Sequence, residues 1–560
     1  MEFAPQLTAA RVGNLTARGL WQNRLATDYL DDALARAPDA LALVDHNSMD
    51  GSRTRLTYRE LAARVDRIAC ALAALGIGRG DVVAVQLPNW WHYSAIYLAC
   101  VRLGAVINPL MPIFRERELE FMLKLAEARL LIVPQTFRGF EYPAMVARLR
   151  PALPRLAHVR VVGGTDPATS FEATVLGEPW ETRCDRAALF AAGRPAPDDV
   201  TEVMYTSGTT GEPKGVMHTA NTLFCKALLA SELFGFRRDD RIFMGSPVAH
   251  QTGFMYGCLL ALYHHAACVL QDTWEPVTAA AVIARERCTI TLGSTPFLRD
   301  LVHAPAIDPH AVACLRLFLC AGAPIPRVLV HAAAARYPAM YVMSAWGMTE
   351  MGIATATYPG DPAEKIFDTD GRALPHQAVR VIDDAGRAVP PGVEGRLQAR
   401  CATTFVGYLK RPEAYGVDAE GWIETGDNAR MDADGYIRIT GRSKDLIIRG
   451  GENIPVVEVE ELLYRHPAVA DAAVVAMPDE RLGERGCAFV TLKAGASLDF
   501  DGMIGYLTAA RLIRQYLPER LEVIAEFPRT PSGKIQKFRL RELARGLRPM
   551  RAAPGEGSTQ

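Results

Sequence analysis

At 560 residues the chain exceeds the size at which one hydrophobic core stops growing, so two or more domains are expected. Apolar residues make up 49% and charged ones 22%, as in an ordinary soluble enzyme, and the formal net charge of -1 is scattered rather than blocked. That balance excludes an electrostatic footprint for nucleic acid or an anionic membrane and favours small partners. The 11 cysteines show no C-x-x-C pair and no His cluster at zinc spacing, which argues for reduced thiols rather than a disulfide framework or a structural metal. MEFAPQLTAARVGNL lacks a signal-peptide core, and the most lipid-like run, residues 257–270, is broken by His264 and His265. A cytoplasmic protein, monomer or homodimer, without integral membrane association is expected.

Thr57-Tyr58-Arg59-Glu60 is a capping box, and Leu61, Val65, Ile68, Leu72 and Leu75 follow at helical spacing until Gly76 stops the helix. DVVAVQLP (81–88) predicts a buried strand, residues 90–104 a helix and AVINPL the next strand; this alternation predicts a largely parallel α/β sheet. After about residue 370 short β-like runs alternate with Asp-Gly and Pro-Gly turns, as in a small antiparallel sheet or barrel. Beyond 445 come a helix near 457–465, strands AAVVAMP and CAFVTLK, a helix near 502–515 and the strand RLEVIAEF, a separate α+β domain. The terminal RAAPGEGSTQ has the composition of a disordered tail.

Residues 206–215 read TSGTTGEPKG between two β-like runs, EVMY and GVMHT. The phosphate loop of common nucleotide hydrolases is not met: Gly208 and Gly211 are spaced differently, and Lys214 is followed by Gly215. Backbone N–H groups with the hydroxyls of Thr206, Ser207, Thr209 and Thr210 can still wrap polyphosphate oxygens, and Lys214 adds charge. Alone, such a loop is more often a plain surface turn. Four further segments stand with it: SAWGMTE (344–350), GWIETGD (421–427), GRSKDLIIRGGENIPVVEVE (441–460) and PRTPSGKIQK (528–537). Each alone also has a bland explanation as a turn, a charged linker or a solvated lysine.

In this order and over most of the chain, from LTYRELAARVDRIACAL to Lys534, the five segments resemble the adenylate-forming superfamily of acyl-CoA synthetases, peptide-synthetase adenylation domains and luciferases. The resemblance implies an α/β protein: a large N-terminal domain of two α/β subdomains plus a β-barrel over 1–443, a small mobile α+β domain over 444–546, and a tail over 547–560. It implies a two-step reaction with ATP, Mg²⁺ and CoA, in which a carboxylate attacks the α-phosphate of ATP and a thiol then takes the acyl group.

By the same resemblance, 206–215 holds the β- and γ-phosphates. Thr349 contacts phosphate, and Glu350, with Thr210, helps to hold Mg²⁺. Asp427 accepts from the ribose hydroxyls, and Arg442 reaches ribose or phosphate. Adenine lies between Ala321-Gly322-Ala323-Pro324 and Trp346-Gly347, where Trp346 replaces the family's usual Tyr and puts a role for its hydroxyl in doubt. Lys534 matches the lysine of the adenylation step. Lys444 matches the hinge, about which Gly450, Gly451 and Glu452 come over the site to frame a pantetheine tunnel.

His250 in SPVAHQTG matches an aromatic gate beside the acyl pocket, against the alternative of a packed core histidine. No Asp stands where amino-acid-activating domains pair a substrate ammonium. Gly253, Phe254 and Gly257, with Met348, are expected to line an apolar pocket, the two glycines sharing a helix face that leaves room for the acyl group. The expected substrate is a neutral apolar acid, alicyclic (cyclohexanecarboxylate) or medium-chain. Aryl or other fatty acids, loading of a carrier protein, and a non-catalytic ATP-binding regulator are the alternatives.

Overall fold

The computed structural model describes residues 1, 3–206, 213–237, 239–442, 447–450, 452–530 and 533–550. The Thr57 capping box forms as the sequence predicts, with Thr57 Oγ1 accepting from Glu60 N at 3.2 Å and Glu60 Oε2 accepting from Thr57 N at 2.8 Å. It opens the helix Tyr58–Ala74, which buries Leu61, Val65, Ile68 and Leu72. The helix Trp91–Leu103 ends on Gly104 in the left-handed region at φ 66°.

Apolar runs with helices on both faces become parallel strands. Val82–Val85 is buried at every position and lies between Val106–Pro109 and Leu130–Pro134, both parallel to it. His158–Val162 and Val200–Thr206 extend this sheet in parallel, and Lys214–Thr219 closes one edge antiparallel to Val200–Thr206. A second sheet, of nine strands among the described residues, has a parallel centre running Tyr341–Met348, Leu317–Cys320, Ile290–Gly293, Arg241–Met244, Ala267–Gln271, Leu41–His46. The strand ends of the two sheets meet at Asn89. Its Nδ2 donates to Ser246 O at 2.9 Å and to Gln271 O at 3.0 Å, so the crevice where α/β sheets bind ligands is shared by both.

Where the resemblance implies a barrel, Gln377–Ile382, Glu394–Cys401, Ile423–Met431 and Ile437–Arg442 form an antiparallel sheet. Its core includes Trp346, Phe405 and Tyr408. The small unit is built on Val469–Asp479 paired antiparallel with Gly483–Leu492, which pairs parallel with Arg520–Val523. The helix Val456–Arg465 covers it as expected. The other predicted helix is shorter than 502–515. It spans Phe500–Ala509 and ends before Arg511, which takes φ 63° and turns Leu512 back into the core. Residues 547–550, given to the tail by the sequence, belong to this unit: Leu547 packs on its second core, and Met550 N donates to Glu519 O at 2.9 Å.

Candidate active site

The turn between Tyr341–Met348 and Gly352–Ala356 presents Thr349 and Glu350. It is tight enough that a Cβ on Gly347 would lie 2.0 Å from Gly352 O, so glycine is required there. Three sides hold it. His218 Nε2 is 2.9 Å from Thr349 O, and Lys226 Nζ stands 3.0 Å from the same nitrogen and 3.4 Å from the same carbonyl. Glu350 O accepts from Phe405 N at 2.6 Å, and Thr403 Oγ1 donates to Met351 O at 2.7 Å. Tyr408 OH donates to Glu350 Oε1 at 2.8 Å, which fixes the carboxylate, and Lys214 Nζ lies 4.8 Å from the Tyr408 ring centroid. Lys214 is also paired in register with Thr206, so one end of the expected phosphate loop lies over the ring of Tyr408, whose hydroxyl holds Glu350, and the other is its strand partner. Ser207, Gly208, Thr209, Thr210 and Gly211 lie outside the described residues.

Trp346 is 8% exposed and packs in the core of the antiparallel sheet. Its Nε1–H donates to Asp427 Oδ2 at 2.8 Å, while Arg442 Nε lies 3.1 Å from Asp427 Oδ1. A carboxylate has about four acceptor directions, so Asp427, held by one donor on each oxygen, keeps the capacity for two more. The indole N–H of Trp346 is thus directed at the candidate ribose carboxylate.

Lys534 reaches this group from the small unit. A Cβ on Gly322, at φ 85°, would lie 3.6 Å from Lys534 Cε, so the lysine stem runs over the Ala321–Pro324 segment. Thr295 Oγ1 holds that segment through Pro324 O at 2.8 Å. Burial pushes the Lys534 ammonium down to about 8, assisted by Arg442 and opposed by Asp427 and Glu350. It is therefore still mainly charged at pH 7. His250 accepts from Thr252 N at Nδ1, 3.3 Å away, which leaves the proton on Nε2. Burial and then the Lys534 charge push it down to about 3, so it faces the site as a neutral ring.

The acyl-pocket expectations need correction. Residues 252–259 form a π-helix, continued by Leu260–Tyr263, so the α-helical spacing that put Gly253 and Gly257 on one open face does not apply. A Cβ on Gly253 would lie 2.3 Å from Pro247 O, and one on Gly257 2.9 Å from Met244 Cγ: both glycines permit close packing rather than leaving space. Phe254 is fully buried against Tyr97, ring centroids 4.9 Å apart, on the helix Trp91–Leu103. Met348 packs on the cluster around Trp346. Gly450 lies against Leu482 within the small unit. Lys444 and Gly451 lie outside the described residues, as does the side chain of Glu452.

Sequence reasoning missed the buried layer beneath Thr349. Lys226 is 2% exposed on the largely buried helix Ala220–Phe234, and burial pushes it down to about 7. Glu202, the cross-strand partner of His218, is fully buried, and neither carboxyl oxygen finds a hydrogen-bond donor among the described residues. Burial pushes it up to about 8. A lone lysine inside ANTLFCKALLASELF was the available signal; nothing in the sequence marked Tyr408.

The family model described as AMP-binding enzyme matches residues 30–409, and that of the AMP-binding enzyme C-terminal domain matches 458–534. The medium-chain fatty-acid–CoA ligase of Escherichia coli is 38% identical over 94% of this chain and 91% of its own length. A salicylyl-CoA synthase / salicylate adenylyltransferase from a Streptomyces species is 34% identical over 94% of this chain and 95% of its own. Among solved structures, the anthranilate CoA ligase AuaEII in complex with anthranoyl-AMP superposes with a TM-score of 0.83 at 27% identity, covering 93% of this chain and 98% of that one.

Proposed function

Because the chain belongs to the AMP-binding enzyme family, with both its large and its C-terminal domain matched, we propose that it joins a neutral, apolar carboxylic acid to CoA through an acyl-adenylate. The alicyclic or medium-chain class is favoured, and ATP, Mg²⁺ and CoA are the co-reactants. One observation carries the mechanistic reading: Lys534, from the small unit, lies over Gly322 within electrostatic reach of Arg442, Asp427 and Glu350 of the large one.

The acid needs no general base, because a carboxylate is already a nucleophile at neutral pH. Attack at the α-phosphorus builds negative charge on the carboxylate and phosphoryl oxygens together. An ammonium aimed between them stabilises that charge more than it stabilises the separate reactants. Asp427 and Arg442 would orient the ribose. Lys214 and Thr206 carry the ends of the loop expected to hold the leaving pyrophosphate. The donor set fits Mg²⁺: Glu350 offers one hard, pre-oriented carboxylate, and this ion is commonly held by one or two carboxylates together with substrate phosphates. When bound, the ion neutralises phosphate charge. His250, neutral and without a charged hydrogen-bond partner among the described residues, suits an apolar acyl group beside it.

An aryl acid is the second reading, favoured by the 34% identity to the salicylate enzyme and the likeness to an anthranilate ligase. A panel of alicyclic, medium-chain, short-chain and aryl acids, assayed for acid-dependent pyrophosphate release with ATP and Mg²⁺ and for CoA thioester, tests both. Cyclohexanecarboxylate or octanoate is expected to give the highest kcat/KM. Preference for salicylate or benzoate overturns the first reading, and pyrophosphate release without thioester overturns CoA as the acceptor.

A further inference from the structure

Asp471 lies on the first long strand of the small unit, 3% exposed, beside a register shift between Val469 and Asp471. Its Oδ1 accepts from Tyr464 OH and from Ala472 N at 3.0 Å. Its Oδ2 accepts from two guanidinium groups. One is Arg299 Nη1 at 2.7 Å, from the large unit's helix Thr295–His303. The other is Arg529, which stands at the base of the turn that carries Lys534.

Arg529 is built into that turn. Its Nη1 donates to Gly533 O at 2.7 Å, the carbonyl of the peptide bond that leads into Lys534. Thr530 N donates to Lys534 O at 2.7 Å, Gly533 N to Thr530 O at 2.8 Å, and Lys534 N to Thr530 Oγ1 at 3.0 Å. The turn in turn abuts the start of the Arg299 helix: a Cβ on Gly533 would lie 2.9 Å from Ser294 Oγ and 3.0 Å from Pro296 Cγ. One carboxylate therefore connects a helix of the large unit to the peptide that aims Lys534.

We propose that Asp471, Arg299 and Arg529 are positioning residues for the first half-reaction, an ionic latch that docks the small unit with Lys534 over Gly322. The reasoning rests on the reading that Lys534 acts in adenylation. Asp471 is satisfied within its own unit by Arg529, Tyr464 and Ala472, so the latch adds one bond across the interface without being needed for the small unit's fold. Without the Asp471 carboxylate, the like charges of Arg299 and Arg529 would be offset only in part by Asp300, 3.4 Å from Arg299 Nη2, and the contact would no longer draw the units together. Among the described residues none of the three forms a hydrogen bond with Thr349, Glu350, Asp427 or Arg442, so their effect should fall on kcat and not on KM for ATP.

The test uses the full chain and two separate assays: acid-dependent ATP–pyrophosphate exchange for the first step, and thioester formation from supplied acyl-adenylate for the second. Arg299→Met keeps the aliphatic stem and removes only the cross-unit bond. It should lower kcat for exchange by roughly ten- to a hundredfold, leave KM for ATP unchanged and leave the second step within about twofold, the low end of the scale for truncating one partner of a charge pair, since the carboxylate is buried and the guanidinium partly exposed. Asp471→Asn should lower exchange further, because it leaves the two guanidinium groups opposed. Arg299→Lys should recover part of the loss. Lys534→Ala is the control for the underlying reading. If it retains exchange, that reading fails and the latch with it. If Lys534→Ala abolishes exchange while Arg299→Met leaves it intact, or if Arg299→Met slows both steps equally, the latch alone is overturned.

Discussion

At Lys534 the surroundings set the pH range over which the side chain carries charge. Burial and Arg442 bring it down to about 8, so it is charged below that pH and loses its proton above. Adenylation is expected to fall as pH rises through about 8. Lys534→Arg, which cannot deprotonate in this range, should lose that alkaline limb although its absolute rate is lower. A limb that stays near 8 in the Arg variant assigns it to another group. Glu202 gives a stability prediction of definite sign. Its folded-state carboxyl titrates at about 8 against an ordinary value of 4.5, so between those pH values the folded chain holds the extra proton and stability is lost as pH rises. Lys226, brought down to about 7, contributes an opposite slope only above that pH, whereas buried histidines such as His218, which burial holds well below 6.5, contribute one below it, so between pH 5 and 7 Glu202 is read from the difference between parent and variant. Glu202→Gln should remove a fall of about 1.4 kcal/mol per pH unit in that window, read as thermal midpoints that converge for parent and variant near pH 5 and separate towards pH 7. Parallel curves would mean that Glu202 ionises normally. These effects come from packing between residues distant in sequence, which is why Lys534 was legible in its motif and the Glu202–His218–Lys226 layer was not.

Elements that end on local chemistry were legible: the Thr57 capping box and the Gly104 stop need only neighbours in sequence. The π-helix Thr252–Leu259 was not, because it is buried almost all round and a continuous apolar run carries no phase from which its winding can be read. The consequence falls on Gly253, expected in an open pocket face and found against the Ser246–Pro247 backbone. Gly253→Ala must move either the helix or that backbone, and overpacking of this kind typically costs about 1–3 kcal/mol. A lower melting temperature is expected, with kcat/KM reduced alike for a cyclic acid and for propionate. A well-folded variant with an altered ratio between the two acids would return Gly253 to the pocket wall. Trp346 shows a different limit. The sequence showed an aromatic ring where adenine is expected, but its hydrogen bond to Asp427, 81 residues away, exists only once the antiparallel sheet has formed.

Over the whole molecule, two kinds of contact hold the chain together. The large unit has extensive apolar cores against its two α/β sheets and its antiparallel sheet, and the small unit has two of its own, around Val474 and around Phe489. Between the units the contacts include ionic ones: Arg299 with Asp471 at 2.7 Å, and Glu461 of the small unit with Arg438 and, at 3.9 Å, with Arg327. Ion pairs across an interface couple two cores less strongly than a shared apolar core would. Heat is therefore expected to unfold the chain in two steps rather than one, with a calorimetric enthalpy larger than the van't Hoff value. A non-hydrolysable acyl-adenylate analogue that contacts both Asp427 and Lys534 belongs to neither unit alone. At about a hundredfold over its Kd it should add about 2.7 kcal/mol to the docked state and draw the two transitions together. In Arg299→Met the transitions should start further apart and the analogue should bring them less close. A single transition with equal enthalpies in the free protein would show that the interface couples the two cores as strongly as each core holds itself, and the latch would then have little left to add.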